Sequence, residues 1–289
     1  MNRTRLFAAL AVLLAALAVV LAAPALDAQQ QYGRDSDIWK WDGRVDAGHW
    51  MSVFNVNGTV DFAPSPDNMV HLVAEKRSNG REMDDIHFEV VQADGNVTIC
   101  AIWNNSARCE DGGVESFRHN GNNENHSNVR ITVSVPRSVK VGAHSVNGGV
   151  SVRDVGSEVR ANSVNGGVIV RNTTGPVRAS TVNGGVTVNT AAGPVTAETV
   201  NGNVDARMAS LQGDDDMNFK TVNGSVAIYV PARFDANFRF DTVSGGIESD
   251  FPLTITGRWG PRHASGKIGN GGRDVRASSV NGSIELRKQ

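Results

Sequence analysis

The feature that most constrains the fold is a repeat. The phrase Ser145-Val146-Asn147-Gly148-Gly149-Val150 returns from Ser163, Thr181 and Thr199, so that Asn147, Asn165, Asn183 and Asn201 stand 18 residues apart. It continues less regularly at Thr221-Val222-Asn223-Gly224, Thr242-Val243-Ser244-Gly245 and Ser279-Val280-Asn281-Gly282. Ala264-Ser265-Gly266-Lys267-Ile268 reads as a degraded copy filling the last long gap, which makes eight units from Val146 onward. Self-similarity at a short fixed period marks a unit that buries its apolar face against the next copy of itself.

Each unit holds two stretches with apolar residues two apart, such as Val168/Val170 and Val177/Ala179. That spacing places them on one face of a β-strand. Asn-Gly separates the stretches on one side, and Thr174-Gly175-Pro176 or Ala192-Gly193-Pro194 on the other. Gly, and Asn more than most residues, accept the positive φ of a sharp corner. Asn-Gly is also a hairpin signal, so an antiparallel meander is the rival. An identical corner at a fixed period favours stacking, because only stacked coils reward the same side chain at the same place. The expected fold is therefore all-β, a parallel β-solenoid of roughly 18-residue coils with Asn-Gly corners. The 31 Gly beside 6% aromatic residues fit corners around a narrow Val and Ala core. The three steps from Ala161 to Val164 break the alternation and predict a corner or bulge near Asn162-Ser163. The Phe234–Phe240 stretch and Trp259 are expected to cover the far half, and the polar end Glu285–Gln289 to blunt the last rung.

Residues 29–140 are less regular, yet Asn55-Val56-Asn57-Gly58-Thr59-Val60 carries the phrase. This part reads as an irregular N-terminal β region of the same architecture, and 141–289 as the solenoid repeat region. Between Cys109 and Asn128 a Gly/Asn-rich stretch reads as a loop. Residues 1–28 have the order of a signal peptide: Arg3 and Arg5, an apolar run from Leu6 to Ala23, then small residues. An uncleaved anchor is the rival reading, since the run approaches the ~20 residues that span a bilayer. No second long apolar run follows. The expected location is outside the cytoplasm: periplasm, cell surface or medium. Cys100 and Cys109, the only cysteines, are expected to form a disulfide there.

The net charge of -2 argues against a nucleic-acid partner. No nucleophile elbow, zinc-protease helix motif or phosphate-binding loop occurs. The calcium β-roll repeat is absent too, so no metal or cofactor is expected. Asp214-Asp215-Asp216 reads as a solvated loop, as do His119 and His126, while Trp39, Trp41 and Trp50 read as a core cap or, less simply, a sugar platform. Arg153 and Arg171 share one unit position, and Arg160 and Arg178 another. Stacking would hold each pair about 5 Å apart, where like charges repel unless Asp154 and Glu158 or a bound anion intervene. These four arginines are the candidate binding residues, with an acidic polysaccharide or envelope component as ligand.

The recurring Thr/Ser-Val-Asn-Gly-Gly/Ser-Val phrase, with Gly245-Gly246-Ile247-Glu248-Ser249-Asp250-Phe251-Pro252-Leu253 leading to Ser279–Ile284, resembles the bacterial β-strand-repeat proteins called "putative adhesins". That resemblance implies a β-helical envelope or surface protein of a domain family of unknown function, without an established enzymatic activity. The alternative is a polysaccharide lyase or hydrolase on a β-helix, which needs carboxylates, or a base with Arg or Lys, on adjacent rungs.

Overall fold

The computed structural model describes residues 38–77, 86–103, 107–116, 127–257 and 260–289. The expected signal peptide, the Asn-rich loop with His119 and His126, and Trp259 lie outside the described residues. Among those described there is no helix. Two long sheets of 11 and 12 strands face each other, here called sheet A and sheet B. Coils are formed by one strand of sheet B followed by one of sheet A. In chain order they are Trp50–Asn57 with Val60–Pro64 (coil 1), Lys140–Asn147 with Val150–Arg153 (coil 2), Val159–Asn165 with Val168–Thr173 (coil 3), and Val177–Asn183 with Val186–Thr190 (coil 4). Val195–Asn201 with Val204–Met208 (coil 5) and Met217–Asn223 with Val226–Val230 (coil 6) continue the series. Neighbouring coils pair in parallel and in register, as in Val159↔Val177 and Val168↔Val186, so the meander is excluded and the solenoid holds.

Alternation decides which side chains enter the core. Along Val159–Asn165, Val159, Ala161 and Ser163 point inward and Arg160, Asn162 and Val164 outward. The expected bulge at Asn162-Ser163 is absent. Ser163 takes the inward position and Val164 the outward one, and the Ser163 hydroxyl donates to the Gly148 carbonyl oxygen at 2.8 Å. Thr181, Thr199 and Thr221 make the same bond to Gly166, Gly184 and Gly202. Each is a net ~1 kcal/mol contact that also satisfies a carbonyl at the corner.

The corners need glycine chiefly for another reason than positive φ. A Cβ on Gly166, Gly184 or Gly202 would lie 2.0–2.4 Å from the carbonyl oxygen of the corner one coil earlier. Gly166 and Gly202 are outside the left-handed region, as are the corner asparagines. Those asparagines are retained for their amides: Asn147 Nδ2 donates to Asn57 Oδ1, and Asn165, Asn183, Asn201, Asn223 and Asn281 each donate to the one before at 2.8–2.9 Å.

At the C-terminal end the chain departs from sequence order. Asp274–Asn281 with Ile284–Lys288 (coil 7) lies directly on coil 6, and Ala236–Ser244 with Ile247–Ser249 (coil 8) lies outside it. The last repeat is thus inserted between two earlier ones. Glu285–Gln289 therefore does not blunt the last rung: Leu286 is buried and Arg287 is held by Glu248, Glu285 and Asp250. Ala264–Ile268 is not a degraded coil either. It belongs to Arg262–Ile268, which pairs antiparallel with coil 8 and with Thr254–Thr256, and so covers the sheet B edge. Phe219, Phe238 and Phe240 thicken this half of the core, whereas coils 3 and 4 are filled by Val and Ala.

At the other end, Asn96–Ile102 and Asn128–Val135 extend sheets B and A in parallel from coil 1, and antiparallel strands close both edges. Trp41 is buried there and Trp39 stacks on Phe88 with ring centroids 4.6 Å apart. Cys100 and Cys109 are bonded, with Cα atoms 5.7 Å apart. The bridge fastens the small hairpin Ala107–Glu110 and Gly113–Ser116 to sheet B. Closing so short a loop stabilises by roughly 2–3 kcal/mol.

Candidate functional site

Outward residues of sheet B form three columns. In coil 3 they begin with Arg160, Asn162 and Val164, and register carries each column along the stack. Near coil 1 the first two columns border a cleft of about 240 Å³, lined by Trp50, Phe54, Asn96, Asp111, His144 and Arg160 among others. Gly142 lies between Ser52 and Arg160 in the register and has no side chain. Arg160 reaches across it, and its guanidinium sits 4.2 Å from the Trp50 ring centre. Lys140, paired with Trp50 in the sheet, places its ammonium 5.6 Å from the same ring. Cations over an indole face gain electrostatic attraction and are held in place by it. Trp50 is therefore not part of the buried cap formed by Trp39 and Trp41.

His144 stacks face to face on Phe54, with centroids 4.2 Å apart, and its Nδ1 is 3.1 Å from Asn162 Nδ2. Burial, helped by the charge on Arg160, lowers its pKa to about 4. The imidazole is neutral at pH 7, and Nδ1 accepts from the Asn162 amide. Asp111 and Gly112, at the tip of the disulfide-held hairpin, complete the far wall.

The four arginines named from the sequence do stack as pairs, but on opposite sheets. Arg153↔Arg171 stand on the outside of sheet A and Arg160↔Arg178 on the outside of sheet B. Glu158 binds Arg160 at 3.1 Å, whereas Asp154 instead accepts from Asn172 Nδ2. Among the described residues no ion pair involves Arg153, Arg171 or Arg178. The Arg160 column also carries Arg276 and Arg239, adjacent in register on coils 7 and 8. Irregular spacing hid them in the sequence. Lys140 and His144 were missed because they precede the first full phrase, although counting back 18 residues from Asn162 gives His144. Of the aspartate run, Asp216 accepts the Asp274 amide at 2.9 Å and lies 3.9 Å from Arg276. Among the described residues no group of three or more His, Cys, Asp or Glu is placed to hold a metal ion.

Residues 143–287 match the model of the family described as Toastrack DUF4097. The chain belongs to this family. The Toastrack match spans coils 2 to 8 except for their first and last few residues. No curated protein matches the chain. Among solved structures it is similar to a "putative adhesin" from Bacteroides fragilis NCTC 9343, at 12% identity and a TM-score of 0.44, covering 86% of this chain and 96% of that one. It is also similar to a "putative cell adhesion protein" from Clostridium sporogenes ATCC 15579, at 8% identity and a TM-score of 0.37, covering 87% and 100%. This Toastrack protein is a parallel β-solenoid.

Proposed function

We propose that the protein is an exported, non-enzymatic binding module that takes an acidic polysaccharide or another anionic envelope component on the outer face of sheet B. One observation carries the reading: Lys140 and Arg160 are held over Trp50 beside the cleft, and Arg178 stands one coil further with no carboxylate partner among the described residues. A ligand carboxylate bridging Arg160 and Arg178 would relieve the repulsion between them and compete with Glu158 for the first. Export is supported by the apolar run at residues 6–23 and by the disulfide, which persists in oxidising compartments.

The test is retention on immobilised polygalacturonate at low salt. Arg160→Ser with Arg178→Ser is expected to weaken retention about tenfold or more, while Arg153→Ser with Arg171→Ser on the opposite sheet reports the contribution of that pair. Unchanged retention of the first double variant overturns the reading. A second reading, a polysaccharide lyase, draws on His144 and Arg160 lying on adjoining coils in one cleft. Against it, a group with a pKa of about 4 is a weak general base near neutral pH. Release of unsaturated sugar ends by the purified protein, absent in His144→Gln, would establish that reading instead.

A further inference from the structure

The third outward column of sheet B is apolar. Six valines in it, Val146, Val164, Val182, Val200, Val280 and Val243, are each 39–51% exposed, and Val222 on coil 6 is half-buried. A single exposed valine needs no explanation. Here one recurs in coil after coil, because the inward Ser or Thr before it forces it outward. Beside this stripe runs the asparagine row from Asn57 to Asn281, whose amides are chained at 2.7–2.9 Å. In that chain each internal amide uses one N–H and one oxygen lone pair. The other N–H and lone pair remain, so each coil offers one uncharged donor and one acceptor. The track therefore repeats an apolar contact and an amide every ~4.8 Å, with no charged residue in either column.

Two occupants fit poorly. The six valines together expose about two and a half valines' worth of surface, on the order of 300 Å², against the ~800 Å² per partner of a stable protein interface. A second copy held by this stripe alone is under-supported. A charged polymer finds no counter-charge in it. An uncharged polysaccharide in an extended β-linked form has what the track lacks: apolar C–H faces for the methyls, and hydroxyls that both donate and accept. We infer that the Val/Asn track of coils 2 to 7, its valine stripe extended by Val243 on coil 8, binds such a polymer along its length. The inference does not rest on the acidic-ligand reading, since it uses a different column and a ligand of different charge.

Depletion of the full chain by microcrystalline cellulose and by insoluble chitin, in molar salt, tests it. Wild type and Arg160→Ser/Arg178→Ser are expected to be retained alike on at least one of them. Val164→Ser/Val182→Ser/Val200→Ser is expected to be retained at least tenfold less, while still binding polygalacturonate if wild type does. Should that variant melt below wild type, Val→Thr at the same positions keeps the β-branched shape and is expected to lose at least threefold. No retention of wild type on either solid overturns the inference. So does equal retention of the folded valine variants, or a dimer in sedimentation equilibrium that those substitutions dissolve.

Discussion

Coils 3 to 5 and coils 6 to 8 are built from the same phrase, yet only the first set stacks in chain order. In coils 3 and 4 the period is 18 residues, the core is Val and Ala, and each corner meets the one before it. In the second set, connections of irregular length let the chain place coil 8 first and return to slide coil 7 beneath it. The comparison shows that stacking energy selects like on like, whereas the order of stacking is set by the connections. A Ser-Val-Asn-Gly corner fits any neighbouring Asn-Gly corner, so the phrase alone does not say which copy adjoins which.

Deleting residues 274–289 gives the largest expected effect. Were the coils stacked in chain order, only the outermost would be lost. Here the deletion removes buried Val275, Ile284 and Leu286 from between two coils, more than about 5 kcal/mol of apolar burial. Hydrogen-exchange protection in Ala236–Ser244 and Arg262–Ile268 is expected to vanish while 159–208 stays protected. Retained protection in those two strands would show that coil 8 does not depend on coil 7.

Glycine substitutions sharpen the same contrast. Gly202→Ala puts a Cβ 2.0 Å from the Gly184 carbonyl oxygen, in a corner confined by backbone on both sides. It is expected to cost about 3 kcal/mol or more, as overpacking against backbone does. Gly272→Ala, in the C-terminal connection, meets nothing within 4 Å and carries only the left-handed φ of +124°. About 1 kcal/mol is expected there. Denaturant melts of both variants check the ordering.

A smaller effect concerns charge. The middle column of coils 3 and 4 is neutral, Asn162 and Ser180, and continues to His144 on coil 2, half-buried and lowered to about 4. At the far end His263 is exposed beside Asp241. Between the unfolded pKa near 6.5 and the folded value near 4, the unfolded chain binds the extra proton, so stability falls as pH is lowered through that window. The loss attributable to His144 is on the order of 2–3 kcal/mol. His71, raised by hydrogen bonding to Asp42, works in the opposite sense: its contribution is present below pH 6.5 and is lost as pH rises through its folded value. Urea midpoints at pH 7 and pH 4.5 are expected to differ less in His144→Gln than in wild type.

Much of this was legible in the residues. The period, the parallel stack, the corner glycines and the Cys100–Cys109 bridge follow from spacing and from pairing two cysteines. The inward Ser163 was not, because a hydroxyl looks outward-facing until its carbonyl partner is known. Nor was the Trp50 cleft, which depends on Gly142 leaving room for a side chain from two coils away. The antiparallel cover at Arg262–Ile268 mimics the repeat closely enough in Ala264-Ser265-Gly266 to be mistaken for one.

Which side chains share the outer face of sheet B depends on the order of coils, so that order is the claim to test most directly. Asn223 adjoins Asn281, and Asn281 adjoins Ser244. Parallel neighbours stand ~4.8 Å apart, within the 4.4–6.8 Å that a disulfide spans, while residues two coils apart do not. Asn223→Cys with Asn281→Cys is expected to cross-link under mild oxidation, and Asn223→Cys with Ser244→Cys to stay reduced. Efficient bridging of Cys at 223 and 244, with none between 223 and 281, would contradict the inserted last repeat and the columns built on it.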